Sequence, residues 1–300
     1  MINAENAEFQ IVQALRLSRT KRAALGEVFI EGTESVKMAV RAGLEITRII
    51  IPASRARATA CGSGSRAGLS QWACDLIRAG ARVLEMADGL YAKLCERRDL
   101  PEILVTAKRT TLTLADLNLG AKPFVLLFDR PSDMGNLGSV IRSFNSFGGD
   151  ALLILGHGVD PWDPKVIRAS LGSVFFTPVV PLRSNGELGG FIAEQKKLNA
   201  MRVWGTDSGG AIPLSQAPLE RPLLLAIGNE AKGISAALKQ ICDGIVSIPL
   251  AGDVNSLNAA CAASVCMWEL CRRSGAPPAA PCGAAPCDAA PRSATFHSKN

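Results

Sequence analysis

The chain predicts an α/β protein in two parts, the second built on a mostly parallel sheet. Three observations point there. Its 300 residues fit about two domains and can bury a full core. From Phe124 to Arg273, short apolar runs such as FVLLFD, LLIL and LLLAI alternate with segments of helical length, the pattern of βα units. Upstream, a second and shorter alternation of strands and helices ends near residue 110.

Taken in order, residues 1–26 read as helical and basic, with Arg16, Arg19, Lys21 and Arg22 in one cluster. Such a cluster is either an arm for a polyanion or a solvated helix face. EVFIEG is a strand, Thr33 can cap a helix running to Gly43, and ITRIIIP (Ile46 to Pro52) is a second strand. Residues 53–69 are rich in Ala, Arg, Gly and Ser without apolar period and read as a flexible basic loop. A helix from Ser70, a strand at ARVLEM, a helix around Tyr91 and a strand at ILVTA complete the first domain, 1–110. A polar-to-Leu linker over 111–121 leads to the second, 122–273. There LLIL reads as a short buried strand, and a helix from Lys165 to Gly172 carries Arg168, with a tight approach at Gly172-Ser173. From Ser274 the sequence is Pro, Ala, Cys and Gly without period. Such a tail, 274–300, buries too little to offset its entropy and is expected to be disordered.

Composition excludes several classes. No apolar run reaches the roughly 18 residues of a membrane span, and MINAENAEFQ has no basic, apolar signal sequence, so a soluble, cytoplasmic protein is expected. The nine cysteines are scattered, contain no CxxC pair and stand beside two histidines. That argues for reduced, mostly structural thiols and against zinc. The net charge of +6 is uneven: residues 1–110 hold 17 Lys and Arg against 12 Asp and Glu. The first part is therefore the electrostatic footprint for any polyanion.

Three stretches share a strand–loop–helix layout, in which a strand's carboxyl end exposes backbone groups where ligands of open α/β sheets bind. In FVLLFDRPSDMGNLGSVIRSFNSFG, Asn136 and Arg142 fall near the start of the helix. In LLLAIGNEAKGIS the strand ends in Gly228, Asn229 and Glu230, and Gly233 opens the next turn. SIPLAGDVNSLNAACAASVCMWELCRR has Pro249 to stop a strand, Asn255 and Ser256 as N-cap candidates, and a small-residue helix. Isolated His157 and His297 make a Ser–His–Asp triad implausible. No GxxxxGK[ST] and no Gly-x-Gly-x-x-Gly after a strand occurs. What remains suits a cofactor held largely by main chain.

Together and in this order, the three loops resemble the motifs of the SpoU (TrmH-like) branch of the SPOUT RNA methyltransferases. Asn136, Gly138 and Arg142 match the first motif. Gly228, Glu230 and Gly233 match the second. Ile248, Pro249, Ser256, Leu257 and Asn258 match the third. Where the family commonly has Asp-Pro-x-Asn, this chain has Met134 in place of the Pro. The resemblance implies S-adenosylmethionine in the cleft of the second and third loops, its adenine held by backbone around Gly228, Asn229, Ile248, Leu250 and Leu257. It implies methyl transfer to a ribose 2′-hydroxyl of ribosomal or transfer RNA. Arg142 would be the catalytic arginine, with Asn136, Glu230, Ser256 and Asn258 around it. Arg168, Arg19, Lys21 and Arg22 are the candidate RNA contacts. A small N-terminal α/β domain like a ribosomal protein, a trefoil knot and a homodimer through the last helix also follow from the resemblance, and no metal does. The rival in another class is an RNA-binding or ribosome-assembly protein without catalysis. Base methylation, which other SPOUT branches perform, is disfavoured by the Ser-Leu-Asn motif.

Overall fold

The structure, a computed structural model, describes residues 1–57, 68–96, 99–229, 232–253 and 256–274. The expected disordered tail, Glu230, and the cap candidate Asn255 lie outside the described residues. The chain forms two compact units: Met1–Thr111 with Pro131–Arg142 and His157–Thr177, and Leu112–Arg130 with Ser143–Gly156 and the chain from Pro178 onward.

In the first unit, the basic N-terminal stretch is two helices, α1 (Ala7–Leu17) and α2 (Arg19–Leu25). Asn6 caps α1 by accepting from Phe9 N–H, and the side chains of Phe9, Val12 and Leu15 fill the core at helical spacing. Ser18 breaks the helix and caps α2 through Lys21 N–H. Then follow β1 (Glu27–Glu31), α3 (Thr33–Arg41), β2 (Ile46–Pro52), α4 (Ala53–Arg57), α5 (Gln71–Arg78), β3 (Arg82–Met86), α6 (Asp88–Leu94) and β4 (Leu104–Lys108). The sheet is mixed, in the order β1-β4-β2-β3: β4 is antiparallel to both neighbours and β2 is parallel to β3.

Two local expectations change. Thr33 is the first helical residue, and Gly32 stands at the cap without a side-chain bond. The start of the expected basic loop is helical instead, because Asp88 accepts from both the N–H (3.1 Å) and the hydroxyl (3.0 Å) of Ser54 and pins α4.

The stretch expected as a linker is partly docked. Leu112, Leu114, Leu117 and Leu119 pack on the second unit's core, and Thr113 with Asp116 forms a capping box around a short 3₁₀ turn. The second unit's sheet takes β5 (Phe124–Asp129), β6 (Ala151–Leu155), β7 (Val179–Leu182), β8 (Arg202–Thr206), β9 (Ile212–Pro213), β10 (Leu223–Ile227) and β11 (Gly244–Ser247). All seven are parallel, in the order β7-β6-β5-β10-β8-β11-β9. Every residue of β5, β6 and β10 is buried, as a sheet covered on both faces requires. The helices of this half of the chain are α7 (Met134–Ser146), α8 (Pro164–Ala169), α9 (Asn185–Asn199), α10 (Ala236–Ile241) and α11 (Ala259–Arg273). Of these, α8 and the first nine residues of α7 belong to the first unit. α8 is shorter than the expected Lys165–Gly172 helix. The tight approach at Gly172 is present: its φ is +79°, and a Cβ there would come within 2.7 Å of Met38 Cβ. No helix among the described residues is long and apolar enough to cross a membrane.

Candidate functional site

Strand order places β10, β8 and β11 side by side, so the loops after their carboxyl ends share one edge of the sheet. Those loops and the first turn of α11 enclose a cleft of about 510 Å³. Its lining includes Gly228, Asn229, Ile248, Leu250, Ser256 and Leu257. All five cofactor residues expected from the sequence thus line one cavity, with Ser256 beside them.

A hydrogen-bonded cluster holds the loop after β10. Asp129, fully buried at the end of β5, accepts from Ser235 N–H at 2.7 Å and from the guanidinium of Arg130 at 3.0 and 3.1 Å. Arg130 also donates to the Gly233 carbonyl, and Asn229 donates to the carbonyl of Arg130. Across the turn, Asn229 O accepts from Gly233 N–H and Asn229 Oδ1 from Lys232 N–H. The Asp129 contact raises the pKa of Arg130 further. Gly228 is required for a reason internal to the chain. A Cβ there would collide with the Gly233 carbonyl carbon and Ile234 N and lie 2.5 Å from Gly233 Cα.

The third loop ends differently from expectation. The cap of α11 is Asn258, whose Oδ1 accepts from Ala260 N–H (2.9 Å) and Cys261 N–H (3.3 Å); Ser256 lies two residues before that cap. Leu250 and Leu257 remain 40% and 39% exposed on the cleft rim, while Ala259 and Ala262 present only methyl groups to it. The three cysteines of α11 lie in different environments: Cys261 exposed, Cys266 buried with its thiol pushed up to about 12 by desolvation, and Cys271 between.

In the first motif, Asp133 accepts from Asn136 N–H at 2.7 Å and so starts α7 at Met134. Arg142 is therefore the ninth residue of a 13-residue helix rather than near its start, and it is exposed. Gly138 lets α7 and α8 touch: a Cβ there would sit 2.5 Å from Ala169 Cβ and 2.8 Å from Val166 O. Directly after Arg142, Ser143 shares a 2.8 Å hydrogen bond with Ser264 of α11.

The expected RNA contacts divide. Arg19 and Lys21 are exposed. Arg22 is 1% exposed, bound to Asp160 and Asp163 at 2.8 and 3.0 Å and to the Leu15 and Arg16 carbonyls that close α1. It is a structural clamp and not a surface contact, which corrects the sequence assignment. Arg168 is paired with Glu96 at 2.7 Å and lies 3.7 Å from buried Glu31. That contact holds the Glu96 carboxyl below its ordinary range, against the opposing effect of its own burial.

Sequence reasoning missed Asp129, Arg130, Lys232 and the pair Asp207–Lys239, whose carboxylate and ammonium meet at 2.6 Å within the cleft lining. The signal for Asp207 was present, a polar TDSGG run directly after an apolar strand.

The profile of the SpoU rRNA Methylase family matches residues 123–268, and that of the SpoU L30e-like domain matches residues 6–105. The chain is 34% identical over 275 residues to the 23S rRNA (uridine(2479)-2′-O)-methyltransferase of Streptomyces viridochromogenes, covering 91% of this chain and 92% of that one. It is 37% identical over 147 residues to the 23S rRNA (guanosine(2553)-2′-O)-methyltransferase RlmP of Bacillus subtilis, covering 49% of this chain and 57% of that one. Among solved structures, the SpoU methyltransferase AviRb of S. viridochromogenes in complex with the cofactor AdoMet superposes with a TM-score of 0.81 at 34% identity, over 90% of this chain and 98% of that one. An RNA 2′-O ribose methyltransferase gives 0.74 at 25% identity, over 91% and 98%. With the sheet, the cleft and the ordered motif loops in place, the chain belongs to the SpoU rRNA methylase family and carries that family's L30e-like domain at its N-terminal end.

Proposed function

We propose that the protein is an S-adenosylmethionine-dependent methyltransferase acting on a ribose 2′-hydroxyl of ribosomal or transfer RNA, and that it works as a homodimer. The convergence of the second and third motif loops on one cleft carries this reading. The lining fits the cofactor. Its volume of about 510 Å³ is that of a cofactor site. Ile227, Ile248 and Leu257 offer apolar surface for a purine, and Ala259 and Ala262 leave room beside it. Thr206, Asn229 and Ser256 offer polar groups. Bound S-adenosylmethionine supplies an already activated methyl group.

The chain's own residues must then position the ribose and stabilise charge. Arg142, exposed on α7, steers an RNA phosphate and stabilises the developing alkoxide; a guanidinium is too weak an acid to act as the base. Asn136 orients this arginine or the ribose, and Ser256 and Asn258 hold the third loop against the substrate. Arg19 and Lys21 add phosphate contacts. The dimer is supported by a stripe on α11, where Cys261, Val265 and Trp268 recur at helical spacing and Val265 and Trp268 are 39% and 55% exposed.

Tritiated methyl transfer into RNA, measured beside calorimetric S-adenosylmethionine binding, tests the proposal. Arg142→Ala should keep cofactor binding and lose transfer by a factor on the order of 10² to 10³. Arg142→Lys should also be poor, since an ammonium lacks the planar fork. Near-normal transfer by Arg142→Ala would refute the assignment, and no cofactor binding by the unmodified protein would refute the function.

A further inference from the structure

The loop after β8 belongs to none of the three motifs, yet Thr206, Asp207 and Ser208 form one wall of the cleft. Asp207 is the one carboxylate among the described lining residues. Its backbone is fixed from both sides, its N–H donating to Val246 O and its carbonyl accepting from Gly210 N–H. Its Oδ1 accepts from Gly209 N–H at 3.0 Å and its Oδ2 from Lys239 Nζ at 2.6 Å. A carboxylate has about four acceptor positions, so about two remain beyond these donors. The side chain stays 19% exposed, and a Cβ placed on Gly233 would sit 3.0 Å from Oδ2, so the bare glycine is what leaves the carboxylate room on that side. The Lys239 contact holds the carboxyl below its ordinary range, which keeps it an acceptor at neutral pH.

We infer that Asp207 accepts the hydroxyl hydrogens of the cofactor's ribose 2′,3′-diol, with Lys239 fixing its orientation, so that the cleft reads the sugar as well as the purine. This rests on the S-adenosylmethionine reading above. Two features favour a diol over the cofactor's cationic groups. Lys239 already neutralises the carboxylate, which removes its attraction for a second cation and leaves hydrogen-bond acceptance as its remaining capacity. A carboxylate just beyond the carboxyl end of a parallel strand is also how α/β sites commonly take ribose hydroxyls. Thr206 donates its hydroxyl hydrogen to Ala226 O at 3.1 Å and so cannot donate to the sugar, and its hydroxyl is a weaker acceptor than a carboxylate.

The test is calorimetry on the full chain with S-adenosylhomocysteine and its 2′-deoxy and 3′-deoxy forms. The unmodified protein should bind the deoxy forms about 10- to 100-fold more weakly, the effect of losing a hydrogen bond to a charged group. Asp207→Asn should bind S-adenosylhomocysteine weaker by a similar factor and lose the discrimination. Lys239→Met should keep only part of it, since Gly209 N–H still holds Oδ1 but nothing then fixes Oδ2. If the unmodified protein bound the deoxy forms within threefold of the parent, the inference would fall without any variant having to fold. It would fall equally if Asp207→Asn kept full discrimination. Failure of the unmodified protein to bind S-adenosylhomocysteine at all would instead overturn the cofactor reading itself.

Discussion

Replacing Arg22 by Met should unfold the first unit readily while leaving the surface charge of α2 nearly unchanged. The guanidinium is 1% exposed and makes four hydrogen bonds: Nε to Asp160 at 2.9 Å, Nη2 to Asp163 at 3.0 Å, and Nη1 to the carbonyls of Leu15 and Arg16 at 3.0 and 3.1 Å. Met matches its apolar stem but none of these bonds. Asp160, itself 7% exposed, would keep among the described residues only Trp162 N–H as a donor, and two carbonyls at the end of α1 would lose the guanidinium. Breaking one side of a buried ion pair costs about 3–5 kcal/mol because the remaining charge is stranded. For a body of this size that is a fall of roughly 6–20 °C in melting temperature. Urea unfolding gives the free energy. Adding Asp160→Asn to Arg22→Met should recover part of the loss, since an amide strands no charge. A cost below about 1 kcal/mol, or no recovery in the double variant, would show that water already solvates the carboxylates and that the clamp carries little.

Gly228→Ala should weaken cofactor binding at least tenfold, because its Cβ meets the backbone of Gly233 and Ile234, which cannot yield as a side-chain end would; calorimetry reads this directly. Glu269 is held at about 2, against an ordinary 4.5, by hydrogen bonds from Arg272 and Arg273. Its folded pKa lies below its unfolded one, so its contribution is full above about pH 4.5 and is lost as pH falls toward 2. Melting curves of Glu269→Gln should therefore decline less over that window than those of the unmodified protein. Arg273 donates to the carbonyls of Leu214, Ser215 and Ala217 and fastens the end of α11. A chain ending at Ser274 should bind cofactor normally in calorimetry, whereas Arg273→Ala should melt several degrees lower.

The alternation of strands and helices was legible because apolar runs fully buried on a parallel sheet leave a strong imprint, as in Leu223–Ile227. Loops at strand ends were legible as ligand sites for the same topological reason. What the sequence hid were choices among equivalent residues. Arg19, Lys21 and Arg22 look alike in one helix, and only the distant Asp160 and Asp163 select Arg22 for burial. Asn255, Ser256 and Asn258 are all good caps, and the fold uses Asn258. Arg142 seemed close to a helix start because the Asp133 cap that fixes the register at Met134 could not be distinguished from a turn residue. The leucines at 112, 114, 117 and 119 read as part of a linker because their partners lie in strands far along the chain.

The strand order sets a schedule for making the protein. β5 pairs with β10 in register Leu126↔Leu225, β10 pairs with β8, and β8 carries β11. The middle of the sheet therefore closes only after about a hundred further residues have been synthesised, on the order of 5–20 s at ordinary elongation rates. Until then the edge of FVLLF that will face β10 is an unpaired, wholly apolar strand, the kind of surface that recruits other chains. The cleft comes later still, since its last walls are Ala259 and Ala262. High contact order of this kind makes folding slow. Slower elongation between β5 and β10 should thus lower the soluble yield before it alters the activity of the molecules that do fold.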